Sequence, residues 1–247
     1  MTGTRRSVLV LSGIVAALSF TGGCGRESES AKAAPPAIVR QPGIALVVLV
    51  DTSGSMKEPV AGADGKPTPK IQIAKKTVLA VVKRLEEFAK ENPDRTLQVA
   101  VYEFSGREGS DFCRSVVPMG KPDAAAAWRE LARMRPDGGT PIGEAMLVAN
   151  RELDKAAFAS SHLLVVTDGD NTDGRAPGDV AWQFRKLPVA DQPALYFVAF
   201  DVAMTKFSAV KEAGGLLLSA SNEPQLKETL EFILGEKILV EKPSGTK

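Results

Sequence analysis

Oxygen-bearing side chains stand at three separated points of this chain, each next to a change in hydrophobic pattern. Asp51-Thr52-Ser53-Gly54-Ser55 follows an apolar run, Thr140 stands in Gly138-Gly139-Thr140-Pro141, and Asp168 follows a second apolar run in Thr167-Asp168-Gly169. Hydroxyl and carboxylate oxygens are hard donors, suited to Mg²⁺, Mn²⁺ or Ca²⁺ and unsuited to soft metals. Each element also has a plainer reading. Asp, Ser and Gly after a strand form turns, a Thr before Pro caps a helix, and Asp-Gly on its own is a turn. Zinc is poorly provided for, because the chain owns one histidine, His162, and two cysteines, Cys24 and Cys113. Asp168, Asp170 and Asp179 echo a calcium loop, but Asp173 stands where such a loop needs glycine.

The surrounding pattern predicts what positions these residues. Residues 44–50 are continuously apolar, as in a strand covered on both faces. After a Gly/Pro-rich loop, Ile71, Ala74, Val78, Val81, Leu85 and Phe88 recur every three or four residues, which predicts a helix over 70–90 with its lysines outward. Strands are expected at 97–104, at 113–117 as a short edge strand turning back, and at 162–167, 195–200 and 216–218. Helices are expected at 122–133, 179–187, 207–213 and 225–234, and from the Thr140-Pro141 start to about 157. This alternation predicts an α/β, Rossmann-like three-layer sandwich: a mostly parallel central sheet, helices on both faces and one antiparallel edge strand. Ligands of such sheets bind beyond the carboxyl ends of the strands, where Asp51 and Asp168 fall. Buried His162 is expected to be structural, and Trp128 and Trp182 to fill core or groove.

Taken together, the Asp-x-Ser-x-Ser loop of Asp51, Ser53 and Ser55, the distant Thr140 and the distant Asp168 resemble the metal-ion-dependent adhesion site of the von Willebrand factor A-type domain. The resemblance covers residues 43–236. It implies that Ser53, Ser55 and Thr140 ligate a divalent cation directly, with Asp51 and Asp168 holding metal-bound waters and the serine hydroxyls. Mg²⁺ is the first expectation, and Mn²⁺ or Ca²⁺ would also suit. An octahedral ion with three hydroxyls and two waters keeps one place open, and with little negative charge touching it stays electrophilic. A partner's Asp or Glu could fill that place, so the expected function is non-enzymatic recognition of a protein partner, with no small-molecule substrate. Two alternatives stand beside it. Asp51 with Gly169-Asp170 and Asp173 resembles a haloacid-dehalogenase-like phosphohydrolase, but the general acid two residues after the nucleophile is replaced by Ser53. The other is a metal-free scaffold subunit of an envelope assembly.

The opening residues read as an address. Arg5 and Arg6 precede an apolar stretch at 8–20, too short at 1.5 Å per residue to span the ~30 Å core of a bilayer. Thr21-Gly22-Gly23-Cys24 resembles a bacterial lipobox, although Thr21 stands where Leu is usual. Residues 1–23 are thus expected to be a lipoprotein signal peptide, exported by the general or the twin-arginine route. Cys24 is expected to be the lipidated first residue, anchoring the chain in the bacterial cell envelope, at the outer membrane if the cell has one. Residues 24–42, rich in Ser, Ala, Glu and Pro, read as a flexible tether, and residues 237–247 as a polar tail. With Cys24 lipidated, Cys113 is either buried or a free thiol; the rival reading is a disulfide between Cys24 and Cys113. The 247 residues are 44% hydrophobic and 25% charged, an ordinary globular composition. Lys and Arg number 31 against 30 Asp and Glu, a balance that argues against a nucleic-acid surface.

Overall fold

The computed structural model describes residues 39–106 and 111–242; the leader, Cys24 and most of the expected tether lie outside the described residues. The elements run β1 (Gln41–Asp51), β2 (Pro59–Ala61), β3 (Pro67–Pro69), α1 (Lys70–Glu91), β4 (Leu97–Phe104), β5 (Cys113–Gly120), α2 (Ala124–Leu131) and α3 (Ile142–Ala156). They continue as β6 (Phe158–Thr167), α4 (Pro177–Arg185), β7 (Ala194–Phe200), α5 (Ser208–Glu212), β8 (Leu216–Ala220) and α6 (Glu223–Ile233). Six strands form one sheet in the order β5-β4-β1-β6-β7-β8, parallel except for the β4–β5 edge pair. The predicted three-layer fold class is therefore the observed one.

Strand β1 explains its own composition. Flanked by β4 and β6, it sends Ile44, Leu46, Val48 and Val50 into a core shared with α1, α2 and α6. Ala45, Val47 and Leu49 enter the opposite core, shared with α3, α4 and α5. With both faces covered, no position in the run can be polar until the strand ends. The chain leaves β1 towards α1 on one face and leaves β6 towards α4 on the other. A crevice therefore opens between the carboxyl ends of β1 and β6, the switch point where such sheets take ligands.

Several boundaries differ from expectation, each for a local reason. The tether ends before 42, because Gln41 and Pro42 belong to β1 and Arg40 is buried, bonded to Asp154 at 3.1 Å, Asp191 at 3.0 Å and the Phe158 carbonyl at 3.3 Å. The tail begins later than 237. Residues Leu234–Ile238 form a π-turn that buries Leu234 and Ile238, and Arg95 donates to the carbonyls of Leu239 and Glu241. Glu241 meets Ser160, whose hydroxyl also sits 2.7 Å from His162. His162 is structural as expected, with Tyr196 on its other nitrogen at 3.2 Å. The loop before α1 contains an antiparallel pair, β2 with β3, that its Gly and Pro content conceals. Trp128 and Trp182 are outside the core, 63% and 43% exposed, and Trp128 lines a groove with Ile73, Leu79 and Leu131. Among the described residues no helix is long and apolar enough to cross a membrane.

Cys113 carries a free thiol on edge strand β5. Burial, helped by the nearby Glu103 carboxylate, pushes that thiol up to about 12. Since the thiolate is the reactive form, Cys113 should react with a disulfide reagent at pH 8 roughly 100-fold or more slowly in the folded protein than after unfolding. Equal rates would contradict this placement.

Candidate metal-ion site

The site begins where β1 runs out of apolar residues. Asp51 is fully buried, and its two oxygens accept from two different segments: Oδ1 from the Ser53 backbone N–H at 2.7 Å and Oδ2 from the Thr167 hydroxyl at 2.6 Å. The first bond turns the chain sharply after β1, and the second ties that turn to the end of β6. Thr52 seals the loop to β4, its N–H and hydroxyl both donating to the Phe104 carbonyl at 2.9 and 3.1 Å. Gly54 N–H donates to the Gly138 carbonyl and Asp137 N–H to the Thr52 carbonyl, at 2.9 and 2.7 Å, which brings the third segment alongside.

The turn presents hydroxyls to the crevice. Ser53 Oγ and Ser55 Oγ are 3.1 Å apart, and Ser55 Oγ donates to Asp168 Oδ1 at 2.8 Å. A hydroxyl that gives its proton to a carboxylate keeps its lone pairs free for another partner. Thr140 is not the helix cap expected from its sequence context, since α3 starts at Ile142 and no side chain caps it. Its backbone is instead clamped to Thr172, N–H to hydroxyl at 2.7 Å and carbonyl from N–H at 3.1 Å. The Thr140 hydroxyl is thereby left to the crevice. A Cβ added at Gly169 would lie 3.3 Å from Thr140 Oγ1 and 3.6 Å from Ser55 Oγ, so both oxygens gather over the same glycine. At Gly139 a Cβ would come within 2.1 Å of Asp173 Oδ2, which leaves glycine as the residue that fits beside Thr140.

All five residues expected at the site, Asp51, Ser53, Ser55, Thr140 and Asp168, thus meet in one crevice. One further member was not expected. Lys70, the first residue of α1, is buried with its side chain 3% exposed, and its ammonium lies 3.1 Å from Asp168 Oδ2, 3.0 Å from Asp201 Oδ2 and 3.2 Å from Glu58 Oε2. The signal lay in the register: residue 70 stands four before Ala74 and eight before Val78, on the apolar stripe itself. Asp201, just beyond β7, reaches Lys70 from a left-handed backbone, φ 56°. Other acids of the region are occupied elsewhere, Asp170 by Lys206 at 2.6 Å and Asp173 by Thr172 at 2.9 Å.

Burial dominates the electrostatics. It raises the Asp51 carboxyl to about 6, against the lowering effect of the Thr167 bond and with the Asp168 charge adding to the rise. Burial also raises Asp168, in spite of its bonds to Ser55 and Lys70. Burial works against charge on Lys70, yet Asp201, Asp168 and Glu58 outweigh it and hold the ammonium above the usual lysine range.

The donor set suits a small hard ion. Bonds of about 2.0–2.1 Å at right angles set adjacent oxygens of an octahedral Mg²⁺ shell about 3.0 Å apart, close to the 3.1 Å between the serine oxygens. Among the described residues no group of three or more His, Cys, Asp or Glu side chains is arranged to hold a metal. An ion here would rest chiefly on neutral hydroxyls. A phosphohydrolase nucleophile is poorly served by the same geometry, because both Asp51 oxygens are engaged and the residue is sealed from solvent.

A family model for the von Willebrand factor type A domain matches residues 46–171, just over half of the chain. Similar solved structures include a von Willebrand factor type A protein from Catenulispora acidiphila, at TM-score 0.59 and 21% identity, covering 78% of this chain and 42% of that one. The PilB minor pilin from Streptococcus sanguinis matches at TM-score 0.58 and 15% identity, over 81% of this chain and 62% of the pilin. The pilus adhesin SpaC from Lactobacillus rhamnosus GG, in its open conformation, matches at TM-score 0.59 and 13% identity, over 78% of this chain and 30% of the adhesin. At these identities the likeness is one of fold, and this chain spans less than two thirds of each of the three. No curated protein matches the chain in sequence.

The raised Asp51 carboxyl has a stability consequence with a definite sign. Its folded value of about 6 exceeds the reference 3.8, so the folded state holds the proton more tightly than the unfolded one. The contribution of Asp51 to stability is therefore most favourable below about pH 4 and is lost as the pH rises to about 6. In chelator at pH 7.5, Asp51→Asn should match or exceed wild type, by up to roughly 3 kcal/mol, with the gap closing towards pH 4 in denaturant melts. An Asn variant clearly less stable than wild type at pH 7.5 would contradict this.

Proposed function

The chain belongs to the von Willebrand factor type A domain family, and from that membership we propose that it is a non-enzymatic binding module that captures a protein partner through a divalent cation. The observation that carries the proposal is the convergence of Ser53, Ser55 and Thr140 on one crevice, with Asp51 and Asp168 behind them. Ser53, Ser55 and Thr140 would hold the ion, Mg²⁺ first and Mn²⁺ or Ca²⁺ as substitutes. Asp51 fixes the serine turn through its bond to the Ser53 N–H, and Asp168 orients the Ser55 hydroxyl. A bound ion would supply a concentrated positive charge with a vacant coordination position. Neutral hydroxyls leave that charge largely unquenched, which favours an Asp or Glu side chain from the partner.

The proposed binding module is placed in the cell envelope. Arg40 enters at the start of β1, and the site stands at its end, about 30 Å away at ~3.3 Å per residue. A lipid on Cys24, in a chain exported under the leader 1–23, would anchor the domain in the cell envelope. The fold shared with a minor pilin and a pilus adhesin is compatible with a place at the cell surface. The metal-free scaffold reading has one supporting observation, the Lys70 ammonium that already neutralises part of the acidic cluster.

Thermal melts with added Mg²⁺ or Mn²⁺ separate the two. A ligand present at 100 times its Kd stabilises the folded state by about 2.7 kcal/mol, and the melting temperature should then rise by roughly 5–10 °C. Ser53→Ala should abolish the rise. No rise in the wild type would favour the scaffold. Metal-dependent capture of a protein from envelope extract should be lost in Thr140→Ala, and capture that ignores both chelator and Thr140→Ala would overturn the proposed role.

A further inference from the structure

A lysine buried beside a proposed cation site calls for a cause. An ammonium taken out of water is retained when several acceptors replace the water. Here they come from three separate segments: Glu58 from the loop after β1, Asp168 from the end of β6 and Asp201 from the end of β7. Asp201 adopts a left-handed backbone that non-glycine residues seldom take, with its N–H held on the Ala220 carbonyl at 2.7 Å. The two oxygens of Asp168 are divided, Oδ1 to Ser55 and Oδ2 to Lys70.

That division has an electrostatic effect on the hydroxyl cluster. Asp51 and Asp168 are the carboxylates bonded to the serine turn, and one of their two negative charges is matched by Lys70. Glu58 and Asp201 share the ammonium with Asp168, but at 68% and 41% exposure their side chains are solvated, whereas that of Asp168 is wholly buried. We propose that Lys70 is a positioning residue that makes cation binding weak until an acidic partner arrives. Its charge lowers the affinity of the empty crevice for a divalent ion, and its bond keeps Asp168 turned to Ser55. The negative charge missing from the cluster is then supplied by the carboxylate of the partner. This rests on the cation reading above and adds to it a reason for dependence on the partner.

Calorimetric titration of the purified protein with Mn²⁺ alone tests it. Lys70→Gln removes the charge and keeps a hydrogen-bond donor; it should bind Mn²⁺ at least about tenfold more tightly than wild type. Lys70→Arg keeps the charge and should stay within about threefold of wild type. Ser53→Ala added to Lys70→Gln should remove binding. Tighter binding by Lys70→Gln supports the proposal. Equal or weaker binding by a folded Lys70→Gln overturns it while leaving the cation reading intact. Absence of binding in every variant defeats the cation reading itself. Should Lys70→Gln fail to fold in chelator, Lys70→Met is titrated as well. Folding of either variant only with Mn²⁺ supports the proposal, and failure of both with and without Mn²⁺ overturns it, because Lys70 would then serve the fold alone.

Discussion

The rest of the site depends on the way the Asp51 carboxylate is held. It lies at the end of the central strand, sealed from water, where an ionised group is costly unless hydrogen-bonded. Two short bonds meet that need, one to the backbone N–H of Ser53 and one to the Thr167 hydroxyl. Each ties down a different segment. The first sets the turn that puts Ser53 and Ser55 side by side, and the second locks the end of β6, so that Asp168 and Gly169 emerge opposite that turn. The hydroxyls are arranged by these two bonds, and burial raises the carboxyl that accepts them to about 6. Destabilised groups of this kind are common at functional sites.

Much of this was legible in the sequence because it followed from periodicity. A continuous apolar run at residues 44–50 can only be a strand covered on both faces, and its abrupt end marks where polar residues become possible. The sequence therefore sets Asp51 and Asp168 at the carboxyl ends of strands, and the structure makes those strands neighbours. What escaped was set by tertiary contact. Lys70 sits on the apolar stripe of α1, and no property of a lysine says that three acids from other segments will surround it. Thr140-Pro141 has the form of a helix start, yet contacts with Thr172 move the helix on to Ile142 and release the hydroxyl. The tail at 237–242 looks polar by composition, but Ile238 and Leu239 are buried and Glu241 docks on Ser160. Of the two tryptophans expected in core or groove, both lie outside the core, and Trp128 lines a groove beside α1.

The fold alone does not assign a function, since many chemistries share it. The proposed recognition role rests on the character of the donors. The crevice offers hydroxyls, a buried carboxylate with both oxygens engaged and an acid already paired with a lysine. Such groups can hold and orient an ion. Arg40 at the start of β1 and Glu241 against Ser160 of β6 fix both ends of the described chain to the end of the sheet opposite the site. A partner approaching the crevice would meet neither.

The central claim is that the hydroxyls of Ser53, Ser55 and Thr140 cage a divalent ion. Crystals grown with Mn²⁺, measured at the manganese absorption edge, test it most directly. The account predicts one strong anomalous peak within bonding distance, about 2.2 Å, of all three hydroxyl oxygens, with Lys70 still on Asp168. An ordered crevice with no peak at saturating Mn²⁺, or a peak bound by other side chains, would contradict it.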